Sequence, residues 1–334
     1  MIITLLFSLV LSSSNNLLVK GNLEVNEMQL DLHLLQMKNA YATNNTNTNF
    51  NFVAVGDWDC TDETEDTIDN IIDKDPELVL ALGDLSYDNS AECWFELIEP
   101  IRDKTKIALG NHESESSKKL KDYMEFFELE KQYYSFNYNN IHFLALSTEV
   151  PYDDDSQQYK FAINELEKYS TDSSIDWTVV FFHRQSYSSA AFLEDEEEFR
   201  DTYHPLFDKY KVDLALQGHL HVYERTYPIN FNDDDENEPI IKDTSPNQYE
   251  NPTGTIFITV GTGGVHEMEL ANNKDFSAAG LDSEFGILNI NVENDNNSNT
   301  GNKNNTRILT GTFIQNDDDE EYNILDQFKI TKII

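Results

Sequence analysis

Residues 78–84, LVLALGD, form a run of five apolar residues that ends in a glycine and an aspartate, Asp84. Short continuous apolar runs of this length are typical of buried strands in layered α/β folds. Ligands in such folds gather just beyond the carboxyl ends of the strands. We therefore expect Asp84 to lie at the functional edge of a buried sheet.

Four further apolar runs end in the same way, each at side chains that can bind a metal ion. They lead, in chain order, to Gly56-Asp57, Gly110-Asn111-His112, His183 and Gly218-His219-Leu220-His221. Each has an ordinary alternative, since aspartate after glycine is common in turns and a lone buried histidine is often structural. The repetition favours ligands from distant parts of the chain that converge on one site.

The order of elements predicts an α/β fold with α+β features, a sandwich of two packed β-sheets with flanking helices and a metal site at the carboxyl edge of the strands. Helices are predicted at residues 63–73, 91–99, 117–127, 157–169 and 194–203. Asn139-Asn140 predicts a hairpin between residues 133–138 and 141–146. Beyond His221 the pattern is β-rich, with strands predicted at residues 255–260, 286–292, 306–313 and 326–330.

Three segments are predicted along the chain. Residues 1–22 contain a short apolar stretch followed by small residues, which resembles a secretory signal without its usual basic start and is too short to span a membrane. Residues 23–50 are polar and predict a linker. Residues 51–334 predict one catalytic domain, in a secreted or extracytoplasmic protein without a transmembrane segment.

The charge balance excludes one class of partner. The chain carries 62 acidic and 23 basic residues, for a net charge of −39. A chain this acidic, with no lysine or arginine cluster, is a poor binder of polyanions, so no nucleic acid partner is expected. The two cysteines, Cys60 and Cys93, could form a disulfide in an exported chain or remain free thiols.

The candidate ligands outnumber the needs of one metal ion. Carboxylates combined with imidazoles suit Fe, Mn or Zn, and two ions that share one carboxylate explain the number of ligands better than a single ion. Paired metal ions about 3.5–4 Å apart are the standard device for in-line phosphoryl transfer. The candidate ligands therefore fit phosphoryl-transfer chemistry.

The combined motifs resemble those of the calcineurin-like metallophosphoesterases, and the tyrosine in Gly83-Asp84-x-x-Tyr87 resembles the purple acid phosphatases among them. Gly110-Asn111-His112-Glu113, Tyr223-Glu224-Arg225 and residues 259–264 also look like that family. The resemblance covers about residue 51 to the end of the chain. It implies an acid phosphatase that hydrolyses phosphate monoesters by in-line attack of a metal-bound hydroxide at a dinuclear Fe(III)–M(II) centre.

The resemblance also implies which residues hold each metal. Fe(III) would be held by Asp57, Asp84, Tyr87 and His221. A second ion, Fe(II), Zn(II) or Mn(II), would be held by Asn111, His183 and His219, with Asp84 bridging the two. This division agrees with ligand chemistry, since phenolate and carboxylates stabilise a trivalent ion while an amide and imidazoles suit a divalent one.

His112 is the predicted catalytic residue. In the family the matching histidine binds phosphate or helps to protonate the leaving group, a role that suits an imidazole; the alternative is a hydrogen bond that orients a ligand. The further histidines that plant-type members carry about ten residues after the position of His183 are missing here. Arg184 and His266 are therefore candidates for substrate binding, although Arg184 could equally be an ion-pair partner.

The first metal-binding motif also departs from the family pattern. Asp59 stands where the family usually has glycine, which adds a negative charge near the site.

Other functions stay open at this point. A phosphodiesterase or nucleotide pyrophosphatase uses the same metal core, and loops decide between the reactions. A non-catalytic metal-binding or oxygen-chemistry protein, or an acidic binding domain with an inherited site, would bind metal without hydrolysing esters. The sequence leaves the ester, the second metal and the oligomeric state open.

Overall fold

The computed structural model describes residues 49–190, 196–266, 268–271, 274–295, 305–316 and 323–333. The predicted signal segment and the predicted linker up to residue 48 lie outside the described residues. The first strand begins at Phe50, the last residue of that predicted linker. Within the described part of the chain, no helix combines the length and apolarity needed to cross a membrane.

The strands in chain order are β1 (Phe50–Val55), β2 (Leu78–Leu82), β3 (Thr105–Ala108), β4 (Tyr134–Tyr138), β5 (Ile141–Ala145), β6 (Trp177–Phe181), β7 (Leu214–Gln217), β8 (Tyr223–Thr226), β9 (Ile229–Asn230), β10 (Ile240–Ile241), β11 (Gln248–Glu250), β12 (Ile256–Val260), β13 (Ser277–Leu281), β14 (Gly286–Asp295), β15 (Thr306–Gln315) and β16 (Ile324–Ile333). The helices are α1 (Asp62–Lys74), α2 (Glu92–Leu97), α3 (Asn111–Ser114), α4 (Ser117–Phe126), α5 (Gln157–Tyr169) and α6 (Glu197–Tyr210). A short 3₁₀ turn, Arg102–Lys104, precedes β3.

The strands form two large sheets. The first has the order β11-β16-β15-β14-β1-β2-β3, and its strands β1, β2 and β3 are parallel. The second has the order β13-β8-β12-β7-β6-β5-β4, and its strands β5, β6, β7 and β12 are parallel. Strands β9 and β10 pair separately. The predicted fold of two packed sheets with flanking helices is confirmed.

The main core lies between the sheets. Phe52 of β1 meets Phe143 of β5 edge to face at a centroid distance of 5.3 Å. Tyr223 of β8 stacks on Phe313 of β15 at 4.2 Å. A second apolar cluster packs helices α5 and α6 against the outer face of the second sheet. Because parallel strands are buried on both faces, their sequences are continuously apolar rather than alternating.

Local sequence fixes the helix starts. The side chain of Thr61 accepts a hydrogen bond from the backbone N–H of Thr64, and acidic residues follow in the first turn of α1. Ser116 and Ser156 cap α4 and α5 in the same way. Such caps satisfy N–H groups that the helix itself leaves unpaired. The starts of these helices were therefore predictable to within one residue.

Residues 194 and 195 of the predicted helix 194–203 lie outside the described residues, and the helix is corrected to Glu197–Tyr210. Proline inside a helix removes a helical hydrogen bond at a cost of about 3 kcal/mol. Pro205 nevertheless lies inside α6. The buried side chains of Phe199, Tyr203 and Phe207 lie along one face, and their burial, at about 1.5–3 kcal/mol each, offsets that cost.

His204 lies in the middle of this helix, directly before Pro205. It is fully buried, and its Nδ1 lies 2.7 Å from the Tyr187 hydroxyl. Sequence reasoning also missed the short strands β9, β10 and β11, the inner strand β8 and the edge strand β13. Runs of two to five residues carry too little periodicity to be recognised without their partners.

His142 of β5 is expected to make the fold less stable in acid. It is fully buried, its Nδ1–H donates to Asn137 Oδ1 at 2.7 Å, and its buried Nε2 has no hydrogen-bond partner. Burial, with a smaller effect of Lys168, lowers the pKa of His142 to about 4. His142 takes up a proton near pH 6.5 in the unfolded chain but only near pH 4 in the folded chain. Its contribution to stability is therefore fully present above pH 6.5 and is lost as the pH falls from about 6.5 to about 4.

The corresponding measurement is urea unfolding of wild type and His142→Gln at about pH 7 and about pH 4.5. We expect the wild type to lose about 2–3 kcal/mol more than the variant over this interval. Equal losses in the two proteins would contradict the assignment. Carboxylates elsewhere affect the pH dependence of unfolding equally in both proteins, so their contribution cancels in the difference.

Candidate metal centre

Loops at the carboxyl edges of both sheets bring the candidate ligands together. Asp57, Asp84 and Asn111 follow β1, β2 and β3 of the first sheet, whereas His183 and His219 follow β6 and β7 of the second. The loops are tied to one another by backbone hydrogen bonds from Asp57 N to the Gly83 carbonyl at 3.0 Å and from Gly218 N to the His183 carbonyl at 2.8 Å. The site therefore spans the edges of the two sheets.

Three of the candidate ligands have left-handed backbone conformations. Their φ angles are 59° for Asp57, 47° for Asp84 and 71° for His219. Such conformations are uncommon for residues other than glycine and concentrate at functional sites, where the surrounding structure holds them. Here they turn each side chain back towards the space between the sheets.

The glycines next to the ligands are required by close packing. A Cβ atom at Gly83, whose φ is +91°, would lie 2.6 Å from His183 Nδ1. A Cβ atom at Gly110 would lie 2.3 Å from Asp84 Oδ1. These contacts are too short for any side chain, so glycine is the residue that lets the loops approach.

The first group of ligands surrounds the Tyr87 hydroxyl. It lies 3.0 Å from His221 Nε2, 3.3 Å from Asp57 Oδ1 and 3.4 Å from Asp84 Oδ2. Asp57 is fully buried, and its other oxygen, Oδ2, accepts the His219 backbone N–H at 2.8 Å. Phenol, carboxylate and imidazole groups thus face one small space.

The second group surrounds His183 Nε2. This atom lies 3.1 Å from Asp84 Oδ2, 3.2 Å from Asn111 Oδ1 and 3.1 Å from His219 Nδ1. The ligand atoms of Asp84, His183 and His219 all lie within 4.8 Å of one another, close enough for one ion. Asp84 Oδ2 belongs to both groups and lies between them.

The orientation of two imidazoles fits this chemistry. His183 Nδ1 donates to the Leu82 carbonyl at 2.9 Å, and His221 Nδ1 donates to the His266 carbonyl at 2.7 Å. A carbonyl can only accept, so the proton of the neutral ring is on Nδ1 in each case, and the Nε2 lone pair points into the site. Metal-binding histidines are usually held in this way.

The electrostatics of the site also favour bound cations. Burial raises the pKa of Asp57 to about 8. Burial lowers the pKa of His183, but attraction to Asp84 and Asp57 outweighs it and raises this pKa to about 10. Burial also raises the pKa of the Tyr87 phenol far above its usual range, and the neighbouring carboxylates add to this effect. Positive charge, supplied by a proton or a metal ion, is therefore favoured here.

The other two histidines are suited to neutral ligation. Burial lowers the pKa of His219 to about 3 and that of His221 to about 4. Both rings are consequently uncharged near neutral pH and offer free lone pairs. The residues present thus fit two cations, with one neutral imidazole in each group of ligands and the Asp84 carboxylate close to both.

His112 lies beside the ligands. Its ring packs against the Tyr87 ring at a centroid distance of 4.1 Å, and its Nε2 lies 3.9 Å from Asp84 Oδ2. Its Nδ1 lies 2.8 Å from Glu115 Oε1 on the following turn. The imidazole is about one quarter exposed, so it borders the site from the solvent side.

The two substrate-binding candidates occupy different surroundings. Arg184 directly follows His183, and its Nε donates to Glu149 Oε1 at 2.7 Å, which is the ion pair that the sequence left as an alternative. His266 is exposed, and its ring lies 5.1 Å from the His221 ring. The backbone carbonyl of His266, rather than its ring, contacts the site directly, through His221.

Glu113 is a site residue that sequence reasoning did not single out. It is fully buried, and its carboxylate accepts backbone N–H groups of Gly110, Asp84 and Leu85 at 2.8–2.9 Å. It thereby joins the loops after β2 and β3. A signal was present, because Glu113 lies three residues after the N-cap Gly110, which is the spacing of a capping box.

Cys60 and Cys93 form a disulfide with a Cα–Cα distance of 6.2 Å. It joins the loop after β1 to helix α2. Because Asp57 lies in the first segment and Tyr87 shortly before the second, the bond ties together two ligand-bearing parts of the chain. The sequence had left this pairing open.

Comparison with known proteins agrees with this site. A profile of the family described as calcineurin-like phosphoesterase matches residues 16–223. Purple acid phosphatase 23 from Arabidopsis thaliana is 28% identical over 253 residues, which cover 63% of this chain and 51% of that protein. Purple acid phosphatase 22 from the same plant is 30% identical over 236 residues, covering 65% and 50%. The chain spans about half the length of these curated relatives.

A solved structure is similar as well. Purple acid phosphatase PPD1 from yellow lupin (Lupinus luteus) seeds superposes with a TM-score of 0.70 at 25% identity, covering 85% of this chain and 54% of that chain. The family profile matches more than half of the chain, and the two-sheet fold agrees with it. The chain belongs to the calcineurin-like phosphoesterase family, and within that family it is similar to the purple acid phosphatases.

Proposed function

We propose that this protein hydrolyses phosphate monoesters at a dinuclear metal centre. The observation that carries the proposal is the position of Asp84, whose Oδ2 lies between a phenol-containing group of ligands and an imidazole-containing group. Similarity to purple acid phosphatases supports the choice of monoesters. The substrate is proposed to be a small phosphate ester.

Each group of ligands is assigned one ion. Asp57, Asp84, Tyr87 and His221 would hold Fe(III), since anionic oxygen ligands stabilise a trivalent ion. Asn111, His183 and His219, with Asp84 shared, would hold Fe(II), Zn(II) or Mn(II). When bound, the two ions would lower the pKa of water and neutralise charge on the phosphate oxygens.

His112 is proposed to act on the leaving group. Its ring is fixed between the Tyr87 ring and Glu115, and it borders the ligands from the solvent side. A proton at Nε2 could be passed to the ester oxygen as the bond to phosphorus breaks. Glu115 Oε1, 2.8 Å from Nδ1, would help to hold the imidazole in place.

We also infer an extracytoplasmic location and one catalytic domain from about residue 51 onward. The disulfide between Cys60 and Cys93 supports the location, because such bonds persist in oxidising compartments. The core between the two sheets draws on strands from β1 to β16, which supports a single domain.

The first test of the function is metal content and a visible spectrum of wild type and Tyr87→Phe. We expect about two metal ions per chain, one of them iron, and a tyrosinate-to-Fe(III) absorption band that the substitution removes. Tyr159→Phe is the matched control, since it removes a phenol hydroxyl on α5, outside the site, and should keep the band. Two ions without a band would overturn the assignment of Fe(III) to Tyr87, and absence of bound metal would overturn the catalytic proposal.

The second test is turnover of a phosphate monoester and a matched diester, such as 4-nitrophenyl phosphate and bis(4-nitrophenyl) phosphate. The proposal expects kcat/KM to be higher for the monoester. Preference for the diester would show that the site is a phosphodiesterase rather than a phosphomonoesterase. Full metal occupancy without turnover of either ester would point to a non-catalytic metal-binding protein.

A further inference from the structure

Arg184 is the only lysine or arginine in the loops that carry the proposed ligands, residues 56–61, 83–91, 109–116, 182–190 and 218–222. It directly follows His183, whose Nε2 lies 3.1 Å from Asp84 Oδ2 and 3.1 Å from His219 Nδ1. A guanidinium in this position is suited to bind a substrate anion, through paired N–H groups. Whether Arg184 binds such an anion depends on which side chains already pair with its guanidinium.

Two carboxylates flank this guanidinium. Arg184 Nε donates to Glu149 Oε1 at 2.7 Å and lies 4.0 Å from Glu196 Oε2. Both carboxylates are fixed in place, because the Thr148 hydroxyl donates to Glu149 Oε1 at 3.1 Å and the Tyr152 hydroxyl donates to Glu196 Oε1 at 2.7 Å. The single positive charge of Arg184 therefore faces the negative charges of two carboxylates whose positions are fixed by hydrogen bonds.

The pair is partly shielded from solvent. The Arg184 side chain is 29% exposed and that of Glu149 is 12% exposed. Interactions between charges are screened less at such sites than at open surface. An anionic group of a substrate would have to displace Glu149 from Arg184 or approach a site of net negative charge.

The remaining charged side chains of the same loops are also acidic. Asp59 follows Asp57 by two residues, Asp88 follows Tyr87 directly, and Glu115 lies 2.8 Å from His112 Nδ1. Nothing in these loops other than Arg184 offers a permanent positive charge to a second anionic group of the substrate. The selectivity of the site should then depend on the Glu149–Arg184 pair.

We propose that Glu149 is a specificity-determining residue, which occupies Arg184 and so disfavours phosphate monoesters whose leaving group carries a negative charge. Neutral and cationic leaving groups, such as those of amino alcohol phosphates, fit the site better. The inference rests on the proposed phosphatase function. Rejection of one class of substrate by an unfavourable charge is a common source of specificity.

The test uses two esters of matched shape, 4-carboxyphenyl phosphate and 4-carbamoylphenyl phosphate. The measured quantity is the ratio of kcat/KM for the carboxylate to kcat/KM for the carboxamide in metal-loaded enzyme. The intrinsic reactivity of each ester cancels when this ratio is compared between variants. Only changes in recognition of the negative charge remain.

Glu149→Gln should raise this ratio about tenfold, because it frees the guanidinium for the substrate carboxylate. Arg184→Gln should lower the ratio, since it leaves Glu149 unpaired. In the Arg184→Gln background, Glu149→Gln should raise the ratio no more than about threefold, which separates direct contact from general charge removal. Glu167→Gln on the exposed face of α5 removes the same charge elsewhere and should leave the ratio unchanged.

The outcomes separate the inference from the function on which it rests. If both esters are hydrolysed and Glu149→Gln leaves the ratio unchanged, the specificity role is overturned and the phosphatase function stands. An equal gain with and without Arg184 also overturns it, in favour of long-range electrostatics. If metal-loaded wild type hydrolyses neither these esters nor 4-nitrophenyl phosphate, the function itself fails and the inference fails with it.

Discussion

Asp84→Asn is expected to lower kcat/KM for a phosphate monoester by about a thousandfold or more, which corresponds to about 4 kcal/mol of transition-state stabilisation. Asp84 Oδ2 lies close to both proposed ligand groups, 3.1 Å from His183 Nε2 and 3.4 Å from the Tyr87 hydroxyl. Asparagine keeps the shape of the side chain but removes the negative charge. Both ions should therefore be bound more weakly.

Metal analysis and kinetics on the same preparation measure this effect. The variant should retain fewer than two ions per chain after dialysis, and added metal should restore activity only in part. Asp69→Asn, on the exposed face of α1, removes the same charge without contact to the site and should match wild type. Wild-type activity and metal content in Asp84→Asn would refute a shared ligand at this position.

Asp326→Ala is expected to lower the free energy of unfolding by about 3–5 kcal/mol, because it leaves a buried guanidinium unpaired. Arg225 of β8 is 1% exposed and donates to both oxygens of Asp326 on β16, at 2.7 and 3.0 Å. The Tyr223 hydroxyl also donates to Asp326, and Arg225 donates to the Tyr249 hydroxyl, each at 2.8 Å. The network joins one sheet to the other.

Urea unfolding of the metal-free protein measures this loss. The double variant Arg225→Met with Asp326→Leu should recover most of the stability, since well-packed apolar groups can replace a buried ion pair. Asp122→Ala breaks an exposed pair with Lys118 and should cost no more than about 0.5 kcal/mol. A loss in Asp326→Ala as small as that of the control would show that the sheets do not depend on the network.

The residues of the site and their chemistry could be predicted from the sequence. An apolar strand followed by Gly83 and Asp84 predicts both a buried element and the residue at its end, because one short segment carries both signals. The same holds for Asp57, Asn111, His183 and His219. Helices with a capping side chain, such as α5 after Ser156, were placed for the same reason.

Elements that depend on packing partners distant in sequence could not be predicted from their own segments. Helix α6 continues through Pro205 because its apolar face is buried against the second sheet, and local preference predicts the opposite. Strand β8 is stabilised by β12 and β13, which follow it by about 30 and 50 residues. Neither packing partner is encoded within the segment itself.

The sequence by itself thus determined which residues follow each strand and which chemistry they can perform, since strand period and ligand type are local properties. Tertiary structure alone decided how these residues are charged and occupied. From the sequence, Arg184 could bind phosphate or be an ion-pair partner, and folding places Glu149, 35 residues earlier, 2.7 Å from it. The burial of a side chain and the pairing of its charge depend on residues from other elements, so they are decided only when the two sheets and their loops pack together.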